Sequence, residues 1–103
     1  MSLNRWAKRR DANEPDVVKE LEAIGCTVFR LDQPADLLVG FRGLNLLVEV
    51  KDGSKPPSQR ELTDAQAVFS SEWRGQWLEA KTPHEAVQAV LEASDRFLDR
   101  TRP

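Results

Sequence analysis

Apolar residues fall along this chain in two patterns: stripes at three- and four-residue spacing, and short runs closed by glycine or charge. The stripes predict amphipathic helices and the runs predict strands. Val17, Val18, Leu21 and Ile24 place a first helix over residues 13–24. Asp11 or Asn13 caps it, Pro15 lies in its first turn and Gly25 stops it. Residues 26–31 alternate as a strand, with Thr27, Phe29 and Leu31 on one face and Cys26, Val28 and Arg30 on the other. Two apolar runs follow, Leu37–Phe41 and Leu46–Val50, joined across a turn at Arg42-Gly43, where Arg42 is expected to be solvated. Gly53, Pro56 and Pro57 mark residues 52–62 as a loop. Thr63 and Gln66 have capping-box spacing and open a second helix with Ala65, Phe69 and Trp73 as its stripe and Gly75 as its stop. Residues 76–80 read as a fourth strand. Thr82, Pro83 and Glu85 start a third helix carrying Ala86, Val87, Val90, Leu91, Phe97 and Leu98, and residues 99–103 read as a fraying tail.

This order predicts an α/β fold. Three strands with short links favour an antiparallel meander, and a helix before the fourth strand allows parallel pairing there. The expected architecture is one αβββαβ domain over residues 11–98, a four-stranded mixed sheet flanked by helices, with an additional C-terminal helix. Residues 1–10 form a basic arm.

Composition narrows the class. The chain has 103 residues, 40% apolar and 31% charged, as in a soluble single domain. No apolar run reaches transmembrane length and no leader peptide is visible, so no membrane role is expected. The single Cys26 excludes an intrachain disulfide and a cysteine-rich zinc site, and fits a reducing cytoplasm. There is no glycine-rich phosphate loop and no Ser/His/Asp set, so no organic cofactor is expected. The net charge of −2 provides no global attraction for nucleic acid, which leaves local basic groups. Arg5, Lys8, Arg9 and Arg10 form one such group around Trp6. Lys55 and Arg60 in the 52–62 loop form another. Each group reads either as solvated surface or as phosphate contacts.

Three charges stand where burial should discourage them. Asp36 opens the second strand, and Glu49 and Lys51 close the third on one face. The turn at Arg42-Gly43 brings the start of one strand beside the exit of the other, so the three converge. One reading is an ion-paired sheet edge. The other is a divalent-metal site, with Asp36, Glu49 and the Val50 carbonyl as hard oxygen donors and Lys51 orienting water. Glu14 lies on the core-facing side of the first helix, where one reading is a first-turn acid favoured by the helix dipole.

Asp36, twelve intervening residues and Glu49-Val50-Lys51 resemble the signature of the PD-(D/E)XK nucleases. The flanking text D-A-N-E-P, D-L-L-V-G-F-R-G-L-N-L-L-V-E-V-K-D-G, L-T-D-A-Q and E-W-R-G is similar to the small VRR-NUC-type nucleases of phages and prophages, over roughly residues 11–91. Ala35 stands between the proline and the aspartate that this family usually writes together. The resemblance implies a restriction-endonuclease-like core and a Mg²⁺-dependent endodeoxyribonuclease, with Mn²⁺ as a substitute. It implies cleavage of branched or flap DNA, as in Holliday-junction resolvases, in a bacterial host cell. It adds Glu14 to the metal ligands and places Gln66 beside the site. Symmetric cutting of a junction requires a homodimer, for which Phe97 and Leu98 are the candidate contact. The alternative is an inactive nuclease-like module that binds DNA or protein.

Overall fold

In a computed structural model, residues 12–51 and 63–101 are described. The order is α1 (Glu14–Ala23), β1 (Thr27–Arg30), β2 (Leu37–Phe41), β3 (Leu44–Val50), α2 (Asp64–Glu72), β4 (Gln76–Ala80) and α3 (Pro83–Thr101). The four strands form one sheet in the order β1-β2-β3-β4. β1, β2 and β3 are antiparallel neighbours, and β4 runs parallel to β3. This is the mixed α/β sheet that the order of elements predicts.

Local chemistry accounts for the connections. The β2–β3 hairpin closes through Arg42 at φ 50° and Gly43 at φ 84°. Two successive positive φ values make a two-residue turn whose twist matches that of the strands. Arg42 is not merely solvated, because its guanidinium lies 4.7 Å from the Phe41 ring centroid. α1 ends at Gly25, φ 99°. There the Cys26 N–H donates to the Leu21 carbonyl and the Gly25 N–H to that of Glu22, closing orphan helix carbonyls.

The core lies on one face. Val17 and Leu21 of α1 and Ala86, Val90 and Ala93 of α3 pack over Leu37 and Val39, Leu46, Val48 and Val50, and Ala80. Each fully buried Leu or Val contributes about 1.5–3 kcal/mol. Position 93 completes the spacing of the stripe already read at 86, 90 and 97. α3 continues through residues 99–101, read above as tail, since no glycine or proline interrupts it before Pro103. No helix among the described residues is long and apolar enough to cross a membrane.

Cys26 is 7% exposed within this core. Burial raises its thiol to about 11 from an ordinary 9.0. The unfolded thiol therefore ionises first. Its contribution to stability is complete below pH 9 and falls away as pH rises towards 11. Alkylation of the native protein at pH 8 is expected to be at least tenfold slower than in denaturant, as read by mass spectrometry.

The opposite face differs. Strand register sets Phe29, Leu38, Leu47 and Trp77 in one row across all four strands. Phe29 is 64% exposed. α2 sits on this face without one buried residue. Its Phe69 stacks on Trp73 at 5.4 Å and meets Trp77 at 5.6 Å. The Trp73 indole donates to the Gln76 carbonyl, and its ring passes so close to Gly75 that an added Cβ would lie 2.7 Å from it. Gly75 thus accommodates a ring as well as following the helix.

Candidate functional site

The site forms at the exit of β3, where β2 is already exhausted. β2 starts at Leu37, opposite Val48, so the Val50 N–H has no backbone acceptor on that strand. The carboxylate of Asp36 takes its place: the Val50 N–H donates to Asp36 Oδ2 at 2.7 Å. In an extended strand the N–H and C=O of one residue leave on the same side. The Val50 carbonyl therefore also faces the side of Asp36. Asp36 is buried, and its own carbonyl accepts from the Leu31 N–H, which anchors it to β1 as well.

Glu49 lies opposite Asp36 when the β2–β3 register is extended by one pair. It is 1% exposed. Its Oε2 accepts from the Gln66 amide at 2.6 Å and pairs with the Lys51 ammonium at 3.1 Å. Gln66 Oε1 in turn accepts from the Thr63 N–H at 3.0 Å and from Lys51 Nζ at 3.5 Å. The Gln66 N–H donates to the Thr63 hydroxyl, which completes the capping box. Gln66 therefore does two things at once: it caps α2, as its spacing from Thr63 predicts, and it grips Glu49. Such an acid, shielded from water and held by charge-assisted bonds, has a fixed geometry.

Because α2 buries nothing, Gln66 carries much of its attachment. Gln66→Ala is expected to cost about 1–2 kcal/mol. The expected signature is faster amide exchange through α2 with β3 unchanged, measured by hydrogen–deuterium exchange.

Glu14 is fully buried at the start of α1, and its Oε2 lies 3.5 Å from Arg30 Nε. Asn13 occupies the N-cap position, but its side chain makes no cap bond. Instead, Asn13 Nδ2 donates to the carbonyls of Lys81 at 2.8 Å and Lys51 at 3.4 Å. The reason is that β3 and β4 end there side by side, and their last carbonyls need donors more than the helix start needs an acceptor. Asn13 thereby pins the start of α1, and Glu14 with it, to the exit of β3. Neither this tie nor the role of Arg30 was legible beforehand. The only hint for Arg30 was its place on the same strand face as Cys26 and Val28.

The structure thus gathers Glu49, Lys51 and Gln66 into one hydrogen-bonded cluster, seats Asp36 at the next position across the strands, and gives Glu14 to Arg30. Among the described residues no group of three or more His, Cys, Asp and Glu side chains is disposed to hold a metal ion. Arg5, Lys8, Arg9, Arg10, Lys55 and Arg60 lie outside the described residues. The donor types at the β3 exit, two carboxylates and the Val50 carbonyl, are those that Mg²⁺ takes. Beside the cluster a cleft of about 350 Å³ opens between residues 32–34 and α2, with Gln66 in its wall.

The fold and site define a small α/β domain with an acidic and lysine cluster at the end of a mixed sheet. No protein-family model, no curated protein and no solved structure matches the chain.

Proposed function

We propose that this protein is a metal-dependent DNA endonuclease with a restriction-endonuclease-like core. The observation that carries the reading is the pairing of two buried acids at facing strand positions with a lysine: Asp36 across from Glu49, with Lys51 Nζ 3.1 Å from Glu49. Asp36, Glu49 and the Val50 carbonyl would hold Mg²⁺ or Mn²⁺, with Glu14 assisting directly or through water. A bound divalent ion supplies electrostatic stabilisation of the scissile phosphate and lowers the pKa of attacking water. Lys51 orients that water and offsets charge developing on the phosphate. Gln66 holds Glu49 in place. Arg5, Lys8, Arg9, Arg10, Lys55 and Arg60 contact phosphates of the DNA. The products are a 5′-phosphate and a 3′-hydroxyl, and the substrate is branched or flap DNA. The test is a cleavage panel of duplex, single-stranded, flap, bubble and four-way DNA with Mg²⁺ or Mn²⁺. Metal-dependent cutting of at least one member is expected, and no cutting of any member removes the reading.

One feature favours a second reading, an inactive nuclease-like module that binds DNA or protein. Each of Asp36, Glu49 and Lys51 already has a protein partner, as in a structural ion-pair cluster. Calorimetric titration with Mn²⁺ separates the two, since only the nuclease reading requires binding.

Cutting both strands of a branch point also requires two sites, and one domain offers one. Phe97 and Leu98, 38% and 44% exposed on α3, are the proposed homodimer contact. Sedimentation at tens of micromolar is expected to show a dimer that Phe97→Glu disperses.

A further inference from the structure

Beside the acid cluster lies a cleft that the proposed chemistry does not use. We propose that it binds one unpaired nucleobase of the DNA, adjacent to the bond that is cut. This inference rests on the nuclease reading for its position, though not for its test.

The cleft's volume, about 350 Å³, lies at the small end of the range for organic ligands. Pro34 and Phe69 give it flat, stiff apolar surface, and Asp32, Gln33 and Thr63 give it polar edges. Phe69 lines the cleft, and its ring contacts with Trp73 and Trp77 restrict its motion. A planar heterocycle suits such a site, because base–aromatic stacking tolerates any base while its edge seeks hydrogen bonds. Among the described lining residues the one charged side chain is a carboxylate, Asp32, which favours a donor-bearing ligand over a phosphate. The Gln33 side-chain carbonyl is an acceptor for the ring N–H and amino groups that a base exposes when its partner is gone.

Pairing state follows from geometry. In a duplex, both faces of a base are stacked and its inner edge is paired, so only an extruded or unpaired nucleotide enters a concave site. Gln66 joins the two regions, since it lines the cleft and donates to Glu49 at 2.6 Å. A base in the cleft thus stands one side chain away from the acid cluster. The cleft reads the missing pairing at a branch or flap, and the cluster acts on the backbone beside it.

The test uses the full chain in EDTA, so that binding is read without cleavage. Fluorescence anisotropy compares a duplex with the same duplex carrying one unpaired nucleotide. Wild type is expected to favour the unpaired nucleotide by about tenfold. Ala65 is exposed and lines the cleft, so Ala65→Trp fills it from the helix side and should abolish the preference. Ala67→Trp adds the same bulk to the same helix outside the cleft lining and should retain it. Gln33→Ala, in the loop rather than the helix, should lower the preference about threefold even if Ala65→Trp fails to fold. The proposal is overturned if wild type shows no preference, or if Ala65→Trp and Gln33→Ala both keep the wild-type ratio. Cleavage by wild type with a ratio indifferent to both variants sinks the cleft and leaves the nuclease. A ratio lost in Ala65→Trp with no cleavage on any substrate upholds the cleft and sinks the nuclease.

Discussion

Lys51→Ala is expected to yield a folded protein that binds DNA and Mn²⁺ almost normally and cuts about 10²–10⁴-fold more slowly. Its side chain is 14% exposed, and its ammonium touches Glu49 and Gln66 without contributing an oxygen ligand. Removing it leaves the proposed donors of Asp36, Glu49 and Val50 in place. What disappears, on the nuclease reading, is a positive charge that would face the reacting phosphate. Lys51→Arg should restore little of the rate, because a guanidinium is larger and planar and cannot take the same position between Glu49 and Gln66. The inactive-module reading predicts no rate to lose. On either reading Lys51→Ala removes a partner of the buried Glu49 and lowers the melting temperature. Single-turnover cleavage of the same two variants separates the outcomes. Wild-type cleavage by Lys51→Ala would remove the chemical centre from the nuclease reading.

Asp36→Asn and Glu49→Gln should each abolish Mn²⁺ binding by calorimetry, yet differ in their cost to the fold. Asp36 serves the fold by accepting from the Val50 N–H, and an amide oxygen still accepts, though less strongly than a carboxylate. Asp36→Asn is therefore expected to cost about 1 kcal/mol, less than Asp36→Ala, which orphans a buried N–H and costs roughly 1–3 kcal/mol. Glu49 serves the fold through its charge. Glu49→Gln leaves the Lys51 ammonium facing neutral oxygens. Breaking a fully buried ion pair costs about 3–5 kcal/mol, but Lys51 retains some access to water, so about 2 kcal/mol is expected. Denaturant unfolding measures both. Unchanged Mn²⁺ affinity in the two variants would exclude the site, whatever their stabilities.

Much of the fold follows from short-range signals. Each strand was legible because alternation and a bounding turn are properties of a few neighbouring residues. The positive-φ turn at Arg42-Gly43 determines the hairpin, and the hairpin register then carries Asp36 towards Glu49. The two caps at Thr63 and Thr82 are likewise local, each a hydroxyl accepting from an N–H three residues on. The approach of Asp36 to the exit of β3 was therefore contained in the sequence, as a consequence of strand geometry. So was the capping role of Gln66, since its spacing from Thr63 is visible in the chain.

Tertiary structure alone decided the rest. Asn13 reaches carbonyls 38 and 68 residues away, and Arg30 meets Glu14 from another element, so no local pattern announces either. The stripe of Ala65, Phe69 and Trp73 predicts a packed helix, yet α2 buries none of its residues. Periodicity identifies which side of a helix is apolar. How much of that side is covered depends on where distant strands place their own side chains. The same holds for the site's electrostatics. The sequence shows which charges approach the β3 exit. The closing of Gln66 over Glu49 determines that this acid is shielded from water, and that a cleft opens beside it.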